Sequence, residues 1–443
     1  MTRVFAPSHP CPLPVSDAAS ADMRTREADP RRLTTGYAVY VTVLLTLLNI
    51  CNFVDRMIFA VLVQPIKKDL LLTDTQIGLL SGFAFVAVYA AIGLPLARLA
   101  DRVGRRWVLV GSVAVWSVMT GVCGLAHSFM QMAVARLGVG VGEAGCLPSS
   151  HAMLAEIYPP GRRIVPIAFF TAGSACGIAI GLSVGGALAV HYGWRAAFLV
   201  VGLPGIALAI LLSLTLPQAR VARNSLETLP SFRATIRTLA GIPTYRRTVL
   251  THIFYLLATV GTLSWLPAFF MRTHGLTVKQ AGLFFGLSYG FGAGIGLCVG
   301  AYVLQRASRD APARSLHIAG WLALAALPAY MGALLIPSSV IALVLITLYA
   351  TLIGGAGASV IAGQQGVVDS KHRATASALS MLLSSYLGGG LGPLLIGLGS
   401  SMLTSALGTN ALRAALLVAS AAIVLAGYFL IQASRSFPFD ARS

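Results

Sequence analysis

Residues 315–368 read SLHIAGWLALAALPAYMGALLIPSSVIALVLITLYATLIGGAGASVIAGQQGVV, 54 positions without one Asp, Glu, Lys or Arg. A helix that crosses the hydrocarbon core of a bilayer needs roughly 20 apolar residues, so this stretch is long enough for two. Working outward, further charge-free runs occupy 75–97, 164–194, 196–219, 248–271, 280–305 and 414–434. Across all 443 residues the chain is 56% hydrophobic and 10% charged. A soluble domain carries about 25% charged residues. The shortfall excludes an ordinary cytosolic enzyme, a disordered chain and a small secreted scaffold. The reading is an all-α, polytopic membrane protein.

The net charge of +18 would point to nucleic acid in a soluble protein. Here the basic residues sort by position. Five precede residue 37, and 19 more fall near alternate span ends, among them Arg98, Arg102, Arg105, Arg106, Arg162, Arg163, Arg306, Lys371 and Arg373. The opposite ends hold six: Lys67, Lys68, Arg195, Arg272, Lys279 and Arg413. That bias is the positive-inside rule and places both termini in the cytoplasm. The charge is about topology, and nucleic acid is set aside. Cys11, Cys51, Cys123, Cys146, Cys176 and Cys298 are scattered with no ligand spacing. No disulfide framework, metal site or cofactor is indicated.

Twelve transmembrane spans are expected, near 37–62, 75–98, 107–126, 129–155, 164–188, 195–216, 247–271, 278–304, 315–335, 338–366, 375–403 and 411–433. They divide the chain into a disordered cytoplasmic tail (1–36), a six-helix bundle (37–216), a central cytoplasmic loop (217–246), a second six-helix bundle (247–433) and a short cytoplasmic tail (434–443). Within the loop, Phe232, Ile236 and Leu239 recur at helical spacing beside Arg233 and Arg237, the pattern of a short interfacial helix or of a basic loop that enforces topology. The halves read as copies. Trp194 to Val200 (WRAAFLV) and Leu412 to Val418 (LRAALLV) share five of seven residues, each one glycine-rich span after a basic turn. Gly173, Gly177, Gly181 and Gly185 lie on one helical face, where glycine lets a second backbone approach. Gly388-Gly389-Gly390-Leu391-Gly392-Pro393 is a weak point in its own hydrogen-bond ladder.

Of 14 acids, only Asp55 and Glu143 sit well within spans. An ionised side chain at the bilayer centre costs from ~2.5 to above 10 kcal/mol, so each must face a partner or a watery cavity. Arg56 adjoins Asp55, and Arg136 lies seven residues before Glu143 on the same face of its span. Two acids and two bases can simply neutralise each other. They can also make a proton switch, because low dielectric favours the neutral carboxyl while arginine stays charged. Asp55 is then the expected proton carrier and Glu143 the second. A further constellation, Asp101-Arg102-Val103-Gly104-Arg105-Arg106, fills the tight turn between spans two and three. Positive-inside anchoring accounts for its arginines and leaves Asp101 without a role.

These features together resemble the major facilitator superfamily, with Asp101 to Arg106 as its loop-two/three signature. Ala97 stands where that signature has an early glycine, and Gln305-Arg306 is a degenerate copy in the second half. The glycine-rich fifth span resembles an antiporter motif, but Leu182 replaces its proline. The chain is most similar to the Spinster-like branch, through Asn52-Phe53-Val54-Asp55-Arg56, Arg136 to Ala144 with Pro148, Tyr192 to Arg195 with Phe198, and Gly202 to Gly205. That resemblance implies that Asp55 is protonatable, with Arg56, Arg136 and Glu143 around it. It implies that Asp101 and Arg105, with Arg102, Gly104 and Arg106, form an intracellular gate. Eukaryotic members of the branch move lysophospholipids and sphingolipids, and neighbouring branches carry organic anions with a proton.

The expectation is a proton-coupled secondary transporter of the inner cell membrane, monomeric and not an enzyme. Its partners are protons, membrane lipids and a small substrate, first a lipid-like amphiphile and alternatively an organic anion. Polar and aromatic residues near span centres make Asn52, Tyr255, Ser264, Trp265 and Tyr289 the candidate substrate contacts. None of the four lysines follows a glycine, so no GxxxxGK[ST] loop exists for an ATP-driven pump. No HExxH occurs either. A non-transporting sensor on the same fold is the rival from another class.

Overall fold

A computed structural model describes residues 35–159, 162–216, 232–310, 312–369 and 372–440; the tail before residue 35 and positions 217–231 of the central loop lie outside them. The described residues are helical throughout, with no strand. The first half comprises α1 (Thr35–Asp69), α2 (Asp74–Gly78), a π-helical segment (Leu79–Phe83), α3 (Ala84–Val103), α4 (Arg105–Cys123), α5 (Phe129–Ala144), α6 (Cys146–Ile157) and α7 (Ile164–Thr215). The second comprises α8 (Phe232–Gly241), α9 (Pro243–His274), α10 (Val278–Asp310), α11 (Pro312–Leu335), α12 (Ser339–Gly366), α13 (Arg373–Leu383), a second π-helical segment (Ser384–Gly390), α14 (Leu391–Leu407), α15 (Ala411–Ala419) and α16 (Ala421–Asp440).

Among the described residues, eight helical stretches are long and apolar enough to cross a membrane, against the twelve expected. Two of the eight are compound. The 52 residues of α7 break at Gly193, whose φ of 80° is open to glycine, and the run from Thr375 to Asp440 takes in α13 to α16. The expected second and fourth spans are helical but interrupted, one by the π segment at Leu79 and the other at Gly145. Outward-facing side chains such as Leu203, Val344 and Met402 are exposed and apolar, the surface that lipid solvates.

The duplication is written in hydrogen bonds. Thr73 and Gln76 form a reciprocal capping box at the start of α2, and Thr277 and Gln280 repeat both of its bonds at α10. The surrounding sequence repeats as well, Leu-Thr-x-x-Gln-x-Gly-Leu-x-x-Gly at 72–82 and 276–286. Arg163 Nε donates to the Tyr158 carbonyl at 2.8 Å, and Arg373 Nε to the Val368 carbonyl at 3.0 Å. Ser128 and Ser338 cap α5 and α12 in the same way.

The halves meet along two seams. In one, α7 lies on α10: a Cβ at Gly282 would stand 2.3 Å from the Leu182 carbonyl, and one at Gly286 3.0 Å from that of Ala179. In the other, α2 and its π segment lie on the second π segment and α14, where Phe83 and Tyr386 pack edge to face at 5.5 Å. A Cβ at Gly82 would stand 2.5 Å from the Gly390 carbonyl. The glycine face of α7 packs on α1, where a Cβ at Gly177 would stand 2.7 Å from the Ile50 carbonyl. At the arginine-rich end, α6 packs on helices of the first half and α13 on those of the second.

Candidate functional site

Between the halves, at the level of the π segments, lies a cavity of about 290 Å³. Helix α1 supplies Phe53, Arg56, Met57, Phe59 and Ala60, and α5 supplies Arg136. Ser81 and Val86 face it from one side, and Leu256, Val260, Ser264, Ser385 and Gly389 from the other half. The π segments bring Ser81 and Ser385 to its wall. Such an extra-residue turn is frequent at functional sites. The walls are apolar with two guanidinium groups on one side, so the cavity offers charge to an anionic group and apolar surface to the rest of a guest.

The four charges expected to gather do so, with a specific division. Arg56 Nε donates to Glu143 Oε2 at 2.5 Å, and Glu143 is fully buried. The Arg56 guanidinium also lies 5.5 Å from the Phe53 ring centroid. Asp55, the preceding residue, is turned away from that hydrogen bond, and the Thr120 hydroxyl donates to its Oδ2 at 3.2 Å. Arg136 sits 4.7 Å over the Phe59 ring, donates to the Leu80 carbonyl at 3.4 Å, and interacts electrostatically with both Asp55 and Glu143. Asp55, Arg136 and Glu143 are all buried. The sequence pointed to arginine as the partner of Asp55; the Arg56 hydrogen bond goes instead to Glu143, because neighbours on a helix point some 100° apart.

Of the expected substrate contacts, Ser264 lines the cavity. Asn52 is buried beside Glu143 in the first half. Trp265 faces the seam instead, its indole donating to the Pro393 carbonyl at 2.9 Å. Tyr289 is buried against Phe285, and the Tyr255 hydroxyl lies against Gly357. These two turn into the second half, where Tyr330 and Tyr349 also pack.

The turn between α3 and α4 is made at Gly104, with φ of 96°. Arg105 is ion-paired with Glu156, and Arg106 donates to the Ser213 carbonyl, both within the first half. Arg102 is exposed; the Asp101 side chain is outside the described residues. Two Gly-x-Ser-x-Gly stretches, Gly181 to Gly185 and Gly286 to Gly290, have the spacing of a hydrolase nucleophile elbow. Both are helix interiors, whereas that elbow needs a strand-to-helix turn.

One cluster escaped the sequence reading. Asp74, counted as a loop acid, is buried and holds Lys67, Arg272 and Ser400 at the end opposite the arginine-rich turns. In the sequence Lys67 and Arg272 stand out only as minority charges on that side. The signal that could have found it is the repeat at 72–82 and 276–286, in which Asp74 answers to Val278.

A sequence profile described as the Major Facilitator Superfamily matches residues 45–393. An MFS-type efflux pump of Mycolicibacterium smegmatis is 34% identical over 413 residues, covering 93% of this chain and 95% of that protein. A probable L-galactonate transporter of Escherichia coli is 31% identical over 206 residues, 46% of this chain and 44% of its own length. Among solved structures, a bacterial homologue of the human lysosomal transporter Spinster, inward-facing and unoccupied, superposes with a TM-score of 0.82 at 28% identity, covering 92% of this chain and 99% of that one. The same homologue in its occupied inward-facing form gives 0.76.

Proposed function

The chain belongs to the major facilitator superfamily, in its Spinster-like branch, and is an integral membrane transporter rather than an enzyme; on that premise we propose that it couples proton movement to the transport of a compact organic anion by alternating access. The observation that carries this reading is the cavity between the halves, with Arg56 and Arg136 on its wall beside two buried acids. Arginine remains charged at any working pH, so the acids are the groups that titrate. In this reading a proton on Asp55 weakens its electrostatic hold on Arg136, and Arg136 becomes available to an anionic substrate. Glu143, held by Arg56, is the second site. Kinship with an efflux pump and similarity to a sugar-acid transporter support an organic cargo.

The cavity volume bears on the cargo. Pockets for drug-sized ligands run from about 300 to 1,000 Å³, and about 290 Å³ suits a small anion better than a full-length lipid. The lipid-like amphiphile is the second reading, favoured by likeness to the Spinster homologue across 92% of the chain. Twelve crossings with both termini on the cytoplasmic side of an inner membrane complete the proposal, supported by the arginine bias and the repeated halves; a monomer is proposed with them.

The test uses purified protein in liposomes with a pH-sensitive dye inside, challenged with small organic anions and lysophospholipids. A dye response to one class, absent in Asp55→Asn, is expected. Substrate movement at the native rate and with unchanged pH dependence in Asp55→Asn would remove Asp55 from the mechanism. Silence of the dye while labelled substrate moves would remove the proton.

A further inference from the structure

In the first half, the end of α1, the turn between α4 and α5, and the part of α7 beyond its break meet around Asp69. Arg195 is ion-paired with Asp69 Oδ2 and donates from Nη2 to the Ala126 carbonyl at 3.1 Å. The Trp194 indole donates to the same carboxylate oxygen at 3.1 Å. His127, in the turn, acts on Asp69 electrostatically. An acid, an arginine and a histidine thus share one place, and the acid supplies the counter-charge.

The repeat brings the equivalent segments of the second half together: the end of α9, the turn between α11 and α12, and the start of α15. Arg413 answers to Arg195 within the segments WRAAFLV and LRAALLV. In the register that pairs 72–82 with 276–286, Thr273 answers to Asp69. The backbone supports that register, since Leu71 and Gly275 both take positive φ, 52° and 66°. Pro337 answers to His127 beside the paired caps Ser128 and Ser338, but a histidine returns on α9 as His274. Its Nδ1 donates to the Pro337 carbonyl at 3.2 Å, and its ring is stacked on Phe270 at 5.1 Å and edge-on to Phe269 at 5.6 Å. Arg413 acts on it electrostatically. The arginine and a histidine are kept; the acid is not.

Two polar nitrogens are left over there. Arg413 Nε and His274 Nε2 are buried without a partner, and Arg413 makes no hydrogen bond or ion pair among the described residues. Arg195 Nε is unpartnered too, but the terminal nitrogens of Arg195 are taken by Asp69 and the Ala126 carbonyl. Arginine does not shed its proton in a protein, so a half-buried guanidinium beside a histidine calls for a counter-charge from outside the chain. Its planar fork matches two oxygens of one oxyanion. A protonated His274 would add Nε2 as a further donor. Leu335 and Val340, on either side of the Pro337 turn, are exposed and apolar, so the place borders the surface that lipid covers.

We propose that Arg413 and His274 form a binding site for a phosphate-class oxyanion, which takes in the second half the place that the Asp69 carboxylate takes in the first. The oxyanion is either a free anion or the headgroup of a phospholipid, and the same nitrogens recognise both. Neither residue lines the cavity between the halves, so the site depends on neither the proton nor the transported substrate.

The test titrates the full-length protein in detergent with two probes. Inorganic phosphate, at constant ionic strength, is read by the shift in unfolding temperature, and dioleoylphosphatidylglycerol by native mass spectrometry of bound adducts. Binding of at least one probe is expected, and Arg413→Gln should weaken it on the order of tenfold, near the low end of what a hydrogen bond to a charged group contributes. Arg413→Lys, which keeps the charge and loses the fork, should fall between. Thr273→Asp supplies the missing carboxylate, and should block the site while raising the unfolding temperature of the protein without probe. Asp69→Asn uncovers Arg195 and should add to the response to whichever probe binds. A response to phosphatidylglycerol alone would assign the site to a lipid headgroup, and a response to inorganic phosphate would assign it to a free anion. Binding of neither probe to the native protein would overturn the site. Arg413→Gln and Thr273→Asp proteins that bind as tightly as the native one would overturn it as well, as would a folded Asp69→Asn protein that gains no response.

Discussion

Two buried acids of the first half meet different partners, and that difference sets what each variant should do. Glu143 is fully buried and shares a 2.5 Å contact with Arg56, whose side chain keeps 24% of its exposure. Removing one member of a buried pair leaves the other charge without its counter-ion, which costs more than the pair contributed. Glu143→Gln should therefore lower stability by about 1–3 kcal/mol, and Arg56→Ala by at least as much, since it leaves the fully buried Glu143 carboxylate without its counter-ion while Arg56 is partly exposed. The double variant should fall short of the sum, read as thermal unfolding in detergent by a double-mutant cycle. Additive losses would mean that the two side chains are stabilised separately. Asp74 gives the opposite pH lesson. A carboxyl held below its ordinary 3.8 contributes stability at all pH above that value and loses it only as pH falls through the lowered one. Lys67 and Arg272 are the charged groups that face it. The distance between nitroxide labels at Leu71→Cys and Leu407→Cys, exposed sites at the Asp74 end of the two halves, read by pulsed EPR without substrate, should therefore be flat from about pH 8 to about pH 5. A shift of those distances centred near neutrality would put the pH sensitivity of that end elsewhere, with the membrane-buried acids the first candidates.

At the scale of helices, close backbone approach decides which glycines matter. Gly177 meets the Ile50 carbonyl and the Phe53 side chain of α1 at distances no side chain allows, whereas a Cβ at Gly111 would meet nothing within 4 Å. Gly177→Val should destabilise by at least 1–3 kcal/mol, the usual range for overpacking, and should also disturb transport, because α1 carries Asp55 and Arg56. Gly111→Ala should be neutral or stabilising by up to about 1 kcal/mol, the helix propensity difference. Equal effects on unfolding temperature would mean that the stripe is not a packing surface. The stripe was legible in the sequence because four-residue spacing is a property of one helix. So was Gly104, where a turn one residue wide needs φ above zero. The π segments were half legible: the triple glycine at 388–390 marked a weak ladder, but nothing in Leu79 to Phe83 marks its counterpart, which lies against the second half. The direction of the Trp265 indole was not legible either. A tryptophan within a span looks the same whether its N–H meets a substrate or, as here, a carbonyl of a helix 128 residues away. Local spacing put Arg56 beside Asp55 and Arg136 on the face of Glu143, and only the family resemblance implied that the four would gather. It could not say that Arg56 would take Glu143, because that choice is made by how α1 and α5 are rotated against each other.

For the molecule as a whole, alternating access demands that the seam at the Asp74 end part once in each cycle. The structure offers a place to ask whether it does. Thr75 and Ser401 face each other across the seam, backbone amide to hydroxyl at 3.0 Å, beside the Asp74 cluster and away from the cavity wall. Cysteines at these two positions, joined by a short thiol-reactive cross-linker, should react readily in the closed state described here. The cross-linked protein should bind substrate from the arginine-rich side but fail to transport it, and cleavage of a reducible linker should restore the rate. Each single cysteine variant, treated identically, should transport normally. Because the linker touches neither Asp55 nor the cavity, loss of transport would be attributable to the seam alone. Full-rate transport by a protein cross-linked to completion would mean that the halves need not separate there. The duplicated fold would then open through the α7–α10 seam, where Val278 stands in place of Asp74 and no ion pair is found among the described residues.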